Sequence, residues 1–203
     1  MKLYYSKGAC SLAVRIQLHE MDIPCEFESV DLKTKKTETG LDFLSINPKG
    51  MVPTLLLDNK EILTENAVIQ QYLSDTHQSK GLLPPFGDFK RYHALEWLNY
   101  ITTDIHKGFG PLFNPKVPND LKENVFKDTI KDKFNKIEHH LAKPNKYLFG
   151  EQFTLADGYL FVMLLWGKKF NITIDDLPNL SKYFENLKQR PAIQKSLEEE
   201  GLS

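Results

Sequence analysis

Val52-Pro53-Thr54-Leu55-Leu56-Leu57-Asp58-Asn59-Lys60-Glu61-Ile62-Leu63-Thr64-Glu65-Asn66 is the stretch on which the fold turns. Two short apolar runs, 52–57 and 61–63, flank a polar Asp58-Asn59-Lys60 turn, which is the pattern of a β-hairpin. Pro53 falls at the mouth of the first strand, where its missing N–H costs no ladder bond. Asn66 then opens a helix running to His77, with Val68, Ile69, Tyr72 and Leu73 on one stripe.

Residues 2–6 are a short β-prone run that stops at Gly8. Cys10-Ser11 opens a helix in which Val14, Leu18 and Met21 share a face, Ser11 is placed to cap, and Pro24 ends the run. Residues 25–32 read as a second strand, 33–40 as a polar loop and 42–46 as a short helix. The order β-α-β-α-β-β-α predicts a small mixed sheet flanked by helices.

Gly81, Pro84, Pro85 and Gly87 then mark a linker over 81–87. Everything beyond it reads as helix: 89–107, closed by Gly108 and Gly110, then 122–141, 180–189 and 192–200, the last two parted by Pro191. Thr154-Leu155-Ala156-Asp157 precedes the apolar run 159–166 as a capping box with Asp at the third helical position, and Phe153 is placed to staple it. The expected domains are therefore α/β over 1–80 and all-α over 88–203.

The 203 residues are 41% apolar and 26% charged, with net charge −1, so no basic excess points to nucleic acid or an anionic membrane. The N-terminus lacks a signal-peptide apolar core, and no apolar run reaches the roughly 18 residues of a membrane span. Two cysteines, Cys10 and Cys25, are too few for a disulfide framework and read as separate reduced thiols of a cytoplasmic protein.

Four features carry chemistry. The backbone beside Pro53 is free to pair with an extended peptide ligand as an added strand. Glu65-Asn66, at a helix N-terminus, suits the paired charges of an amino-acid head. Cys10 lies near a helix N-terminus, a setting that lowers a thiol pKa, whereas Cys25 reads as core. Asn99, Thr103 and His106, spaced i, i+4 and i+7, fall on one helical face. Taken singly these features read equally as a turn proline, a helix cap, a small buried hydrophobe and a solvated face. Lys35 in its polar loop reads equally as a solvated charge.

Together, in this order and spacing, Cys10-Ser11, Asn47-Pro48-Lys49-Gly50-Met51-Val52-Pro53, Thr64-Glu65-Asn66, Asn99, His106 and Phe153-Thr154-Leu155-Ala156-Asp157 resemble the cytosolic glutathione transferases along the whole chain. The Cys10 and His106 pairing resembles the bacterial beta class. The resemblance implies a thioredoxin-like N-terminal domain with a cis Val52-Pro53 bond, and a helical domain forming the electrophile site. It implies glutathione as co-substrate, with no prosthetic group and no metal. Val52 would pair with the cysteinyl unit, Glu65 and Asn66 would take the γ-glutamyl head, and Lys35 the glycine carboxylate. Cys10 would lie beside the sulfur, reached by Asn99 and His106. Thr103 and Asp104 would reach the ligand of a partner subunit, which implies a homodimer. Thr154 and Asp157 would cap a core helix. Three positions depart from the pattern. Lys7 stands where Pro is frequent, which removes a restraint from the Cys10 loop. Asn66 replaces Ser or Gly, and Gly158 replaces Ala at a helical cost of up to about 1 kcal/mol.

The reaction expected is attack of glutathione thiolate on a small apolar electrophile, a detoxification chemistry. The thiol pKa must fall from about 8.5 by roughly one to two units to populate thiolate at neutral pH. The Cys10 N–H, the Ser11 hydroxyl and a protonated His106 are the expected donors, with Cys10, Ser11 and His106 the catalytic candidates. Phe109, Phe113 and Trp166 are candidate walls of the electrophile site, expected in a cleft between the domains. Two alternatives stand beside this reading. One is a glutathione-dependent thiol–disulfide oxidoreductase or peroxidase working through Cys10. The other is a non-catalytic interaction module on the same fold.

Overall fold

The apolar runs flanking Cys10 and the Pro53 turn come together as one sheet. In the computed structural model, which describes residues 1–78, 81–143 and 146–202, β1 (Lys2–Tyr5), β2 (Glu26–Asp31), β3 (Lys36–Thr37), β4 (Thr54–Leu56) and β5 (Ile62–Thr64) lie in the order β3-β2-β1-β4-β5. β1 pairs parallel to β2, with Leu3 opposite Phe27, through the crossover helix α1 (Leu12–Glu20). It pairs antiparallel to β4, with Leu3 opposite Leu55, and β4–β5 is the expected hairpin. A short α2 (Phe43–Ile46) is capped by the Asp42 carboxylate, which accepts from the Leu44 N–H at 3.0 Å. Helix α3 (Asn66–Thr76) follows the hairpin. The result is the thioredoxin-like arrangement.

Local expectations fail where pairing decides. The 33–40 loop contributes β3, whose polar residues carry no period-2 signal; the strand exists because Val30 and Asp31 offer partners to Thr37 and Lys36. On α3, Ile69 and Leu73 are buried, whereas Val68 is exposed.

The chain divides into two compact units, 1–81 with 190–203, and 82–189. The expected boundary at residue 80 lies outside the described residues. The last helix, expected in the helical domain, instead packs on α1 of the first unit. The second unit holds α4 (Phe89–Tyr100), α5 (Gly110–Phe113), α6 (Asn119–Leu121), α7 (Lys127–Leu141), α8 (Leu155–Lys169) and α9 (Pro178–Lys188); α10 (Pro191–Glu199) belongs to the first. Both long helices contain a π-helical turn, Ile101–His106 after α4 and Lys122–Phe126 before α7.

Helix α8 is the core of the second unit. Its residues from Leu155 to Leu164 are all buried, Gly158 among them, because the helix is apolar around most of its circumference. Its start is the capping box read from sequence. Asp157 accepts from the Thr154 N–H at 2.7 Å, the Thr154 hydroxyl at 2.8 Å, the Leu148 N–H at 2.9 Å and the Tyr183 hydroxyl at 2.7 Å. Among the described residues no helix is long and apolar enough to cross a membrane, and no group of His, Cys, Asp or Glu is set to hold a metal ion.

Candidate functional site

In the first unit the site is assembled around two backbone turns. The Val52-Pro53 bond is cis. Buried Asn47 braces that turn from within, its amide donating to the Met51 carbonyl and to the Thr54 hydroxyl oxygen, both at 2.9 Å. No local pattern around Asn47 signals this task, which depends on the folded turn. Gly50 has φ 61°, and a Cβ there would stand 3.0 Å from Leu44 Cδ2 and 3.4 Å from Lys35 Cδ. Glycine thus lets the Lys35 stem cross the turn, where its ammonium donates to the Gly50 carbonyl at 2.8 Å.

Cys10 is buried between this turn and α3. Its Sγ–H donates to the Val52 carbonyl at 3.5 Å, and its own carbonyl accepts from the Asn66 amide at 2.6 Å. The Asn66 oxygen in turn accepts from Gln70 at 2.5 Å. The Asn66 side chain therefore faces inward and ties α3 to Cys10; only its backbone lies at the helix start, so the expected side-chain contact with a ligand is replaced by a support role. Ser11 also departs from expectation. It is buried and makes no cap. Its hydroxyl accepts from the Ser6 N–H at 3.3 Å and donates to the Ser6 carbonyl at 3.4 Å, which closes the loop carrying Cys10.

Glu65 sits immediately before α3 with φ 72° and ψ 118°, a conformation that costs a non-glycine residue about 1–3 kcal/mol. The surroundings hold it there while its carboxylate stays exposed and pairs with the Lys49 ammonium at 2.8 Å. Lys49, which also donates to the Thr64 hydroxyl at 3.1 Å, is a site neighbour that no local sequence pattern signals. Cys25 is half-buried and its thiol is pushed up to about 11, first by desolvation, so it stays protonated and inert.

In the second unit, the π-helical turn carries Thr103, Asp104 and His106. A π turn inserts a register shift into a helix and often marks a functional position. Asn99 and Thr103 are exposed as one face, but the His106 ring turns inward against Tyr159 and Trp166, with ring centroids at 5.7 and 5.1 Å. The simple i, i+4, i+7 face thus breaks at its last member. Asp104 pairs with Lys133 at 2.9 Å and also accepts from Thr103 at 3.1 Å; the Lys133 hydrogen bond first, then the Thr103 one, hold its carboxyl below the usual range.

His106 is depressed to about 4, chiefly because burial penalises the charged ring and secondarily because of Lys107. The expected protonated donor is corrected to a neutral imidazole, able to donate one N–H but carrying no charge at neutral pH. Around it lies an aromatic cluster, with Phe113 and Trp166 centroids at 4.7 Å and Phe113 and Phe170 at 4.8 Å. Phe113 is 44% exposed and Trp166 7%, while Phe109 is wholly buried. Phe109 backs the cluster and does not offer a wall to a ligand.

Both halves have counterparts among known proteins. Residues 8–76 match the glutathione S-transferase N-terminal domain, and residues 103–200 match the glutathione S-transferase C-terminal domain. The chain belongs to the glutathione S-transferase family. It is 41% identical to the glutathione S-transferase GstA of Escherichia coli O157:H7, with both chains covered in full. Among solved structures, a sphingomonad glutathione S-transferase complexed with glutathione superposes with a TM-score of 0.95 at 40% identity, covering 100% of each chain. The bacterial beta-class glutathione S-transferase of Sphingomonas chungbukensis gives 0.95 at 39%, again over 100% of both. The chain is an enzyme of this family, which sets aside the non-catalytic module.

Proposed function

We propose that this glutathione transferase conjugates glutathione to small apolar electrophiles, as a cytoplasmic homodimer serving detoxification in a bacterium. The observation that carries the reading is the paired arrangement in the first unit: a braced Val52-Pro53 turn and, 12 residues on, an exposed Glu65 carboxylate at a helix start. Glutathione needs both, an extended backbone partner for its cysteinyl unit and an acceptor for its α-ammonium. In this reading Glu65 exchanges its exposed Lys49 partner for the ligand ammonium. Exposed ion pairs of this kind contribute only about 0–1 kcal/mol, so the exchange costs little. The Asn66 N–H, first of α3, favours the adjacent carboxylate. Lys35, held at the Gly50 turn, takes the glycine carboxylate.

The sulfur then lies beside Cys10. Asn99 and His106 complete the proposed glutathione-binding set, and a neutral His106 N–H is suited to donate to a thiolate. Hydrogen bonds to the charged form lower a thiol pKa without any formal positive charge. Phe113 and Trp166 supply the apolar surface for the electrophile. Cys10 supports this arrangement as a thiol, since its Sγ–H is engaged with the Val52 carbonyl. Support for a homodimer comes from Phe89 and Tyr92, exposed in the first turn of α4, and from Phe86 just before it, with Thr103 and Asp104 in the π-helical turn that follows α4. Beside them a cavity of about 740 Å³ is lined by Trp97, Tyr100, His140 and Phe149, among others.

Turnover with glutathione against a halogenated nitroarene, an organic hydroperoxide and a mixed disulfide tests the reading. Conjugation of the nitroarene is expected to be fastest. Fastest reduction of the mixed disulfide, abolished in Cys10→Ala, would transfer the protein to the oxidoreductase reading.

A further inference from the structure

Tyr159 is a large side chain with no accessible surface, carried on the core helix α8, and no step above uses it. Its hydroxyl lies 2.5 Å from His106 Nδ1, and the two rings meet at 65°. A neutral imidazole has one N–H and one bare nitrogen, and which nitrogen bears the proton is set by the partner of the other. A phenol hydroxyl is more acidic than an imidazole N–H, and the bare imidazole nitrogen is the stronger base of the two partners. The favoured bond therefore runs from the Tyr159 O–H to Nδ1. Donation in this direction leaves the proton of His106 on Nε2.

From this contact we infer that Tyr159 is a positioning residue: it holds His106 as the Nε2–H tautomer and so decides which nitrogen donates to the sulfur. The inference rests on the reading of His106 as that donor. Its physical basis is separate, since it depends on one buried contact within the second unit. Burial strengthens the device. Tyr159 is fixed in a helix whose neighbours are all core, so its hydroxyl is aimed by packing and cannot turn away. Trp166, about two turns further along α8, packs edge-on to the same imidazole at 5.1 Å and restrains ring rotation. His106 itself is the last residue of the π-helical turn Ile101–His106.

Nitrogen-15 labelling of histidine, read by long-range proton–nitrogen correlations, reports the tautomer directly. Wild-type protein at neutral pH is expected to show His106 as Nε2–H alone. Tyr159→Phe keeps the ring and removes only the hydroxyl. It should give a tautomer mixture and lower kcat about tenfold while the KM for glutathione stays within about twofold. His106→Gln places an amide N–H near the Nε2 position and should retain several-fold more kcat than His106→Asn, whose amide mimics Nδ1. A wild-type signal showing Nδ1–H, or a Tyr159→Phe spectrum with the tautomer unchanged, overturns the inference even where activity falls. If Tyr159→Phe does not fold, the wild-type tautomer and the Gln against Asn comparison decide. If instead the tautomer behaves as stated while His106→Ala conjugates at the wild-type rate, the donor reading fails and the positioning contact stands.

Discussion

At the scale of single residues, His106 shows how burial changes a chemical role without changing the residue. Its spacing from Asn99 was visible in the sequence, but its charge state was not, because desolvation belongs to the surroundings. The depression from 6.5 to about 4 has a consequence for stability. Below pH 6.5 the unfolded chain binds a proton that the folded chain refuses, so the contribution of this group is complete above pH 6.5 and is lost as pH falls toward about 4. That loss is about 2–3 kcal/mol. Urea titrations across this interval should show a shallower pH slope for His106→Gln than for wild type; parallel slopes would mean the ring is hydrated. Cys10→Ala, assayed with the nitroarene, should keep conjugation within about fivefold of wild type, because the sulfur that reacts belongs to glutathione and the Cys10 carbonyl, which Asn66 holds, is retained.

At the scale of elements, the start of α8 was legible because a capping box is a local pattern, three residues apart on one helical turn. What the pattern could not show is that the same carboxylate also gathers Leu148 and Tyr183, residues 9 before and 26 after it. Asp157→Ala should therefore cost more than an ordinary cap. It strands several buried donors at once, and a loss of about 3 kcal/mol or more is expected by chemical denaturation, against about 1 kcal/mol for Thr154→Ala. Equal costs for the two would show that Leu148 and Tyr183 find other partners. The opposite lesson comes from β3 and Ser11. A two-residue strand of Lys and Thr has no periodicity, and Ser11 looks like a cap until the Ser6 backbone claims its hydroxyl.

At the scale of the whole molecule, the chain returns to where it began. Arg15, almost fully buried, donates to Glu200 at 3.1 Å and Glu199 at 2.7 Å, and stacks over Tyr5 and Phe27 at 4.3 and 3.8 Å. The buried Glu200 carboxylate also accepts from the Gly8 N–H at 2.8 Å, two residues from Cys10. Arg190 and Glu20 add a second link at 2.6 Å. Glu200→Ala leaves Arg15 with Glu199 but strands its Nε–H and the Gly8 N–H, so it should cost about 2–3 kcal/mol, read as a fall in Tm. Removing residues 190–203 should unfold the first unit or open it to proteolysis. An unchanged melting curve after that truncation would show that α1 needs no cover from α10.

The sequence by itself determined the elements whose signals are local. These are the hairpin at residues 52–64, the helix that follows it and the capped core helix, together with the motif order that marks the family. Backbone propensity, turn chemistry and hydrophobic period act over a few residues, so they can be read in a line. Only the tertiary structure decided that residues 190–203 belong with the first unit, that Asn66 supports Cys10 from behind, and that His106 is neutral with Tyr159 at its Nδ1. Each of these depends on which distant groups exclude water from, or donate a hydrogen bond to, a given atom. Such partners are separated by tens to nearly two hundred residues, as Gly8 and Glu200 are, and no local pattern encodes them.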